Sequence, residues 1–339
     1  MNPLLTIAIP TYNGAKTICA MLDLLLPQCN EKTEVIVCDN CSTDGTGEII
    51  HQYQRDYPFI QYVANPKNIG ADGNFLKCMR MAKGRYVHLL SDDDILMEDS
   101  LERILSFLEQ NPDMGLVHLS SADFRNKYVS RDRCARVGNY SQTDICTADK
   151  KVFMNYAKQY WGFLSSFIIN KARFVQIPNP ETYFGTYWLQ SYIHILCAAG
   201  SDTKLGVVSG LCIGAGVYMK QSNLDVAQVD GVNYKQMLEF AIEQGFDRQQ
   251  LEEWYIARIC LLASHGIVKE KAIGTHSINR KLLFQCTRRY WQSWVRIYPV
   301  MCIPSFLCKL ALGIKRKYHG ADFRAEVNRV GDVGTEKEE

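Results

Sequence analysis

Residues 1–110 alternate between short apolar runs rich in β-formers and longer segments whose apolar residues recur at helical spacing. TIAIP (Thr6 to Pro10) is stopped by proline, and AKTICAMLDLLLPQC then carries Leu and Met at helical spacing up to Pro27. EVIVCDN (Glu34 to Asn40) predicts a second buried strand. CSTDGTGEIIHQYQRDY opens with the cap-type residues Ser42 and Asp44 and continues as a helix. FIQYVANP, GADGNFLKCMRMAKG and RYVHLLSDDD repeat the strand, helix, strand order, and EDSLERILSFLEQNPD adds a helix. Units of this length need crossover connections, which make neighbouring strands parallel. The expected class is therefore α/β, with a mostly parallel, Rossmann-like sheet flanked by helices.

After Gly115 the pattern loosens. GLVHLSSADF predicts a strand, RNKYVSRDRCARVGNYSQTD a polar loop, and WGFLSSFIINKARF a strand running into a short helix. KLGVVSGLCIGAGVYMKQSN predicts a strand returning to the first sheet, and from Asp230 to His319 the periodicity is helical. The expected division is 1–225 (halves 1–110 and 111–225), a helical region 226–320, and a polar, frayed tail 321–339.

A formal charge of +2 gives no basic surplus, so a nucleic-acid partner is not expected. The thirteen cysteines are odd in number and scattered, and the N-terminus lacks the charged and apolar regions of a secretory signal. Free thiols in a reducing cytoplasm are the plain reading. Cys38 and Cys41 have CxxC spacing without a second pair or nearby His to complete a zinc site. VRIYPVMCIPSFLCKLALGIKRKYHG is broken by Arg296, Pro299, Pro304 and Lys309, so it suits a bilayer span poorly. Two readings stand for it: a helix lying on an anionic membrane surface, or a core-facing helix.

Open α/β sheets hold ligands beyond the carboxyl ends of their strands. Four polar clusters fall at such ends: Pro10-Thr11-Tyr12-Asn13, Asp39-Asn40, Asn68-Ile69-Gly70 and Asp92-Asp93-Asp94. Singly, each has a plain explanation as a turn, cap or loop residue; together they suggest one site. Three consecutive aspartates repel one another unless something positive joins them. Mg²⁺ and Mn²⁺ take oxygen ligands, usually one or two carboxylates plus substrate phosphates.

IPTYN, VIVCDNCSTDGT, NPKNIGADGNF and LLSDDD, in this order and spacing, resemble the nucleotide-binding half of the family-two glycosyltransferases with the GT-A fold. The likeness covers residues 4–110. More loosely, DGNFLKCMRMAKG, GFLSSFIINKARF and ETYFGTYW resemble the abequosyltransferase-type subgroup of bacterial surface-polysaccharide synthesis. The resemblance implies a GT-A sheet with 1–110 as nucleotide-binding half and 111–225 as acceptor half.

It further implies transfer of a sugar, with inversion, from a UDP- or CDP-type nucleotide sugar to a hydroxyl of a lipid-linked glycan. The location implied is cytoplasmic, at the inner face of the membrane. Pro10, Thr11, Tyr12 and Asn13 would line base and ribose, and Asp39, with Asn40 beside it, would accept from the base. Asn68 and Gly70 would let the backbone approach, and Lys220 would help neutralise the diphosphate. Ser91 stands where the first Asp of the family signature commonly does. Asp93 and Asp94 are the expected ligands of Mn²⁺ or Mg²⁺, with Asp92 beside the nucleotide sugar. For the base, Glu181 is the nearest carboxylate to the family's usual position. A non-catalytic sugar- or nucleotide-binding protein is the alternative reading. The first turn, PTYNGA, argues against a dehydrogenase, whose G-x-G-x-x-G fingerprint it lacks.

Overall fold

The computed structural model describes residues 3–124, 127–136, 140–157, 161–216, 225–275 and 277–311. Among them ten strands form one sheet: β1 (Leu5–Thr11), β2 (Thr33–Asp39), β3 (Ile60–Ala64), β4 (Tyr86–Leu89), β5 (Ile95–Leu96), β6 (Met114–Phe124), β7 (Ala135–Arg136), β8 (Ile145–Thr147), β9 (Phe167–Asn170) and β10 (Lys204–Gly216). Eight lie in the order β3-β2-β1-β4-β9-β6-β10-β5, with β7 paired to β6 and β8 to β10. β1 to β4 are parallel, as are β6 and β10. β9 runs antiparallel between β4 and β6 and joins the two blocks.

The sheet is thus mixed, parallel in its first half, and β10 does return to it. RNKYVSRDRCARVGNYSQTD, expected as a loop, contains β7, and β8 follows at once. These strands are too short to leave a periodic signal.

The helices are α1 (Ile18–Leu25), α2 (Thr46–Asp56), α3 (Gly70–Met81), α4 (Ser100–Gln110), α5 (Lys150–Ala157), α6 (Lys171–Phe174), α7 (Leu189–Cys197), α8 (Tyr234–Glu243), α9 (Arg248–Ile273), α10 (Arg280–Thr287), α11 (Trp291–Arg296) and α12 (Tyr298–Cys302). Every residue of β1 is buried, as a strand covered on both faces requires. Leu5, Ile7 and Ile9 share one core with Ile18, Met21 and Leu22 of α1 and Leu101, Ile104 and Leu108 of α4.

The chain divides into two compact units, Met1–Tyr218 with Met237–Leu251, and Met219–Gln236 with Glu252–Glu339. The described residues of the second unit are largely helical. It is tied internally by Arg258 to Asp230 at 2.8 Å and by the buried Glu270, which accepts from Arg280 at 2.7 Å and Ser277 at 2.9 Å. The Lys271 ammonium sits on the last carbonyls of the α12 turn, those of Val300, Met301 and Ile303, where a cation suits the helix dipole. Among the described residues no single helix is long and apolar enough to cross a membrane.

Candidate active site

Register gathers the polar clusters at one sheet edge. Thr11 pairs with Asp39, Asp39 with Ala64, and Ala8 with Leu89, so the loops that follow β1, β2, β3 and β4 leave from the same end. The first two loops interlock. Asn13, at φ 54°, donates its N–H to Ser42 Oγ and accepts from Thr43 N, both at 2.9 Å, while Gly14 N donates to Thr46 Oγ1 at 3.0 Å. Tyr12 is left 51% exposed, with its ring open to a partner.

Asp39 is buried and accepts from Ser42 N at 2.8 Å and Tyr62 Oη at 2.7 Å. Asn40 is buried too. Its amide donates to Asn68 Oδ1 at 2.9 Å and Gly70 O at 3.2 Å, and its oxygen accepts from Ile69 N and Asn65 Nδ2. Asn40 therefore pins the third loop to the second. Gly70 takes φ +78°, a conformation that side-chain-bearing residues rarely adopt.

The acidic turn is largely buried. Asp92 is 8% and Asp94 3% exposed, with Asp93 half-buried between them. Thr11 Oγ1 donates to Asp92 Oδ2, and Ser91 Oγ donates to Asp93 Oδ1. A Cβ on Gly14 would stand 2.3 Å from Asp92 Oδ2, so only glycine lets the β1 loop come this close. Asp94 accepts from Ser165 Oγ at 2.6 Å and Gly216 N at 3.0 Å. Burial raises its pKa to about 7; the Ser165 and Gly216 hydrogen bonds oppose that, and the charges of Asp93 and Asp92 reinforce it. This cluster disfavours further negative charge, which is the condition a cation relieves.

Ser165 also accepts from Ser91 N at 3.0 Å, so one hydroxyl spans two residues of the turn. Its segment is held by three buried histidines. His88 Nε2 donates to Ser165 O at 2.8 Å, and His118 and His194 bond the backbone of Ser166 and Trp161. Burial lowers their pKa values to about 4, 4 and 3, so all three rings are neutral. His194, on the apolar helix α7, is one of these anchors. Ser165 lies within GFLSSFIINKARF, but nothing in that stretch marks it as a partner of Asp94, 71 residues away.

Residues 6–171 match the family model for Glycosyl transferase family 2. These residues form a family-two glycosyltransferase domain. Over 203 residues the chain is 30% identical to abequosyltransferase RfbV of Salmonella typhimurium, covering 57% of this chain and 59% of that protein. It is 37% identical over 107 residues to a putative teichuronic acid biosynthesis glycosyltransferase, TuaG of Bacillus subtilis, covering 32% and 42%. The chain thus spans less than two thirds of the length of these relatives.

Among solved structures, Staphylococcus aureus TarS 1–349 in complex with UDP superposes with TM-score 0.56 at 16% identity, covering 80% of this chain and 75% of that one. The mannosyltransferase PcManGT of Pyrobaculum calidifontis, in complex with GDP-Man and Mn²⁺, gives 0.50 at 17% identity, covering 91% and 88%. At these identities the likeness is one of fold, and the fold is GT-A.

Of the residues expected in the glycosyltransferase site, Pro10, Thr11, Tyr12, Asn13, Asp39, Asn40, Asn68, Gly70 and the three aspartates belong to the gathered loops. Glu181 does not join them. It pairs with Arg80 at 2.6 Å, near the carboxyl end of α3, whereas Asp72 near the amino end binds Gly185 N at 2.8 Å. The helical rise puts about 12 Å between those two anchors. Glu181 is therefore paired, in an ion pair open to solvent, with a residue at the end of α3 away from the Gly70 loop. Lys220 lies outside the described residues. Trp188 and Tyr183, both in ETYFGTYW, are packed: Trp188 lies over Gly162, and Tyr183 stacks on Tyr192 at 4.2 Å. The carboxylate that the topology does bring to this edge is Asp123. It stands next to last in β6, opposite Ala215 of β10, and the residue after Ala215, Gly216, donates to Asp94.

The donors fit a hard dication. They are oxygens only, and among the described residues no three His, Cys, Asp or Glu converge to make a complete protein-only site. An ion held by one or two carboxylates and completed by phosphate oxygens matches the habit of Mg²⁺ and Mn²⁺.

Proposed function

We propose that this glycosyltransferase moves a sugar from a nucleoside diphosphate, of UDP or CDP type, to a hydroxyl of a lipid-linked glycan, with inversion at the anomeric carbon. The polysaccharide-related names of its relatives and the nucleotide ligands named with its structural neighbours support this reading. The observation that carries it is the convergence of three loop clusters on a buried acidic turn at one sheet edge. We assign the work to the inner face of the cell membrane, where a lipid-linked acceptor would be met.

The exposed Tyr12 ring stacks on the base, and Asp39 accepts a hydrogen bond from the base edge. Asp93 and Asp94 are the candidate ligands of Mn²⁺ or Mg²⁺. The half-buried Asp93 is the stronger of the two, because Asp94 already serves Ser165 and Gly216. When bound, the ion supplies charge stabilisation for the leaving diphosphate. Asp92, oriented by Thr11, borders the sugar and phosphates. We assign removal of the acceptor proton to Asp123, since Glu181 is engaged by Arg80.

Turnover of a nucleotide-sugar panel tests this directly. Asp93→Asn should lower transfer on the order of a hundredfold or more with an unchanged unfolding midpoint. Asp123→Asn should bind donor normally yet fail to transfer, and Glu181→Gln should do neither harm. Full turnover in Asp93→Asn would refute the reading of the acidic turn, and full turnover in Asp123→Asn would refute the base.

A further inference from the structure

The second unit carries an apolar surface that the transferase chemistry does not use. Phe284, Trp291, Trp294, Val295, Phe306 and Leu310 are 42%, 70%, 55%, 60%, 67% and 60% exposed. They lie on α10, α11 and the helical residues Ser305–Ala311. Part of this surface is organised. Trp294 meets Tyr298 edge-on at 4.7 Å and Phe284 at 6.4 Å, and its indole N–H is satisfied by Arg288 O at 2.9 Å. Large aromatic side chains left in water lose the stabilisation of burial, and singly they are unremarkable, but a contiguous aromatic group marks a binding surface.

Charge decides what binds there. Between residues 281 and 311 the chain has Lys281, Arg288, Arg289, Arg296 and Lys309, all exposed, and neither Asp nor Glu. A second copy of the chain would set this cationic surface against itself. An anionic surface would complement it. The shape also argues against a span. Trp291–Cys302 and Ser305–Ala311 meet at 104°, and Ile303 adopts the extended backbone that a following proline favours. Neither arm approaches the roughly 20 residues a crossing requires.

We propose that this unit docks on an anionic phospholipid surface as a monotopic element, with Trp291, Trp294 and Phe306 entering the headgroup boundary while the arginines and lysines meet lipid phosphates. The proposal deepens the inner-face reading above and rests on it for biological sense, but its test does not depend on transfer.

The full chain is mixed with vesicles of phosphatidylcholine, with and without about one-third phosphatidylglycerol, and the bound fraction is measured by sedimentation. Partition onto the anionic vesicles should exceed that onto neutral ones by at least about tenfold and fall as salt rises. Trp291→Ser with Trp294→Ser and Phe306→Ser should reduce it by about tenfold, and so, independently, should Arg288→Glu with Arg296→Glu. Nucleotide binding, measured on the same samples, should stay unchanged in both variants and shows that they are folded. Absence of partition, equal partition onto both lipids, or variants that bind like the parent would each overturn the proposal. So would a concentration-dependent dimer that these substitutions abolish. Loss of sugar transfer with vesicle binding intact would count against the enzymatic reading alone.

Discussion

Gly14 shows how one residue's lack of a side chain fixes the chemistry of another. Its Cα lies so near Asp92 that a methyl group would stand 2.3 Å from the carboxylate and 2.5 Å from Thr11 Oγ1. Gly14→Ala should therefore displace the acidic turn from the β1 loop. We expect a loss of stability of about 1–3 kcal/mol, as for other overpacked sites, together with weaker nucleotide binding. Calorimetric titration beside a denaturant curve checks this; parent-like affinity would show that the contact does not position Asp92. At this scale much was readable. Tyr12, Asp39 and the aspartates stand out because polar residues directly follow buried strands. Gly14 and Ser165 do not, since their parts are set by approach across 78 and 71 residues of sequence.

At the scale of elements, β9 matters most. It is antiparallel between two parallel blocks, and the turn before it delivers Ser165 to both Asp94 and Ser91. Ser165→Ala removes a hydrogen bond to a carboxylate, a contact worth about 1.5–3 kcal/mol. The expected result, beside a loss of stability of that size, is a raised KM for donor and weaker Mn²⁺ dependence, whereas a purely structural role would leave both alone.

Apolar spacing revealed that 167–170 is a strand but not which way it runs, because alternation says nothing of a strand's neighbours. The same limit hid the fate of Glu181. Its place in the chain fitted a base, and its ion-pair partner there is Arg80, 101 residues away.

For the whole molecule, the three buried histidines set the response to acid. Their neutral form is required in the fold, while an unfolded chain protonates them near the ordinary value of about 6.5. The stability they contribute is complete above that pH and is lost as pH falls toward their folded values of about 4, 4 and 3. Asp94, raised to about 7, acts oppositely and favours the fold below pH 7. Three rings outweigh one carboxyl, so the net change between pH 6.5 and 4 should be a loss on the order of a few kcal/mol. Urea midpoints across that range check it, and a flat profile would contradict the histidine anchors. Composition gave no hint of this, since seven histidines among 339 residues is an ordinary number and burial alone makes three of them matter.

The central claim is that the buried acidic turn, with a dication, grips the diphosphate of a nucleotide sugar. Calorimetric titration of UDP, CDP and GDP into the full chain, once with Mn²⁺ and once with EDTA, tests it most directly. At least one nucleotide should bind with Mn²⁺ at an affinity about tenfold or more above that in EDTA, and Asp93→Asn should erase the difference. Binding that is equally strong in EDTA, or absent for all three nucleotides with Mn²⁺ present, would contradict the account.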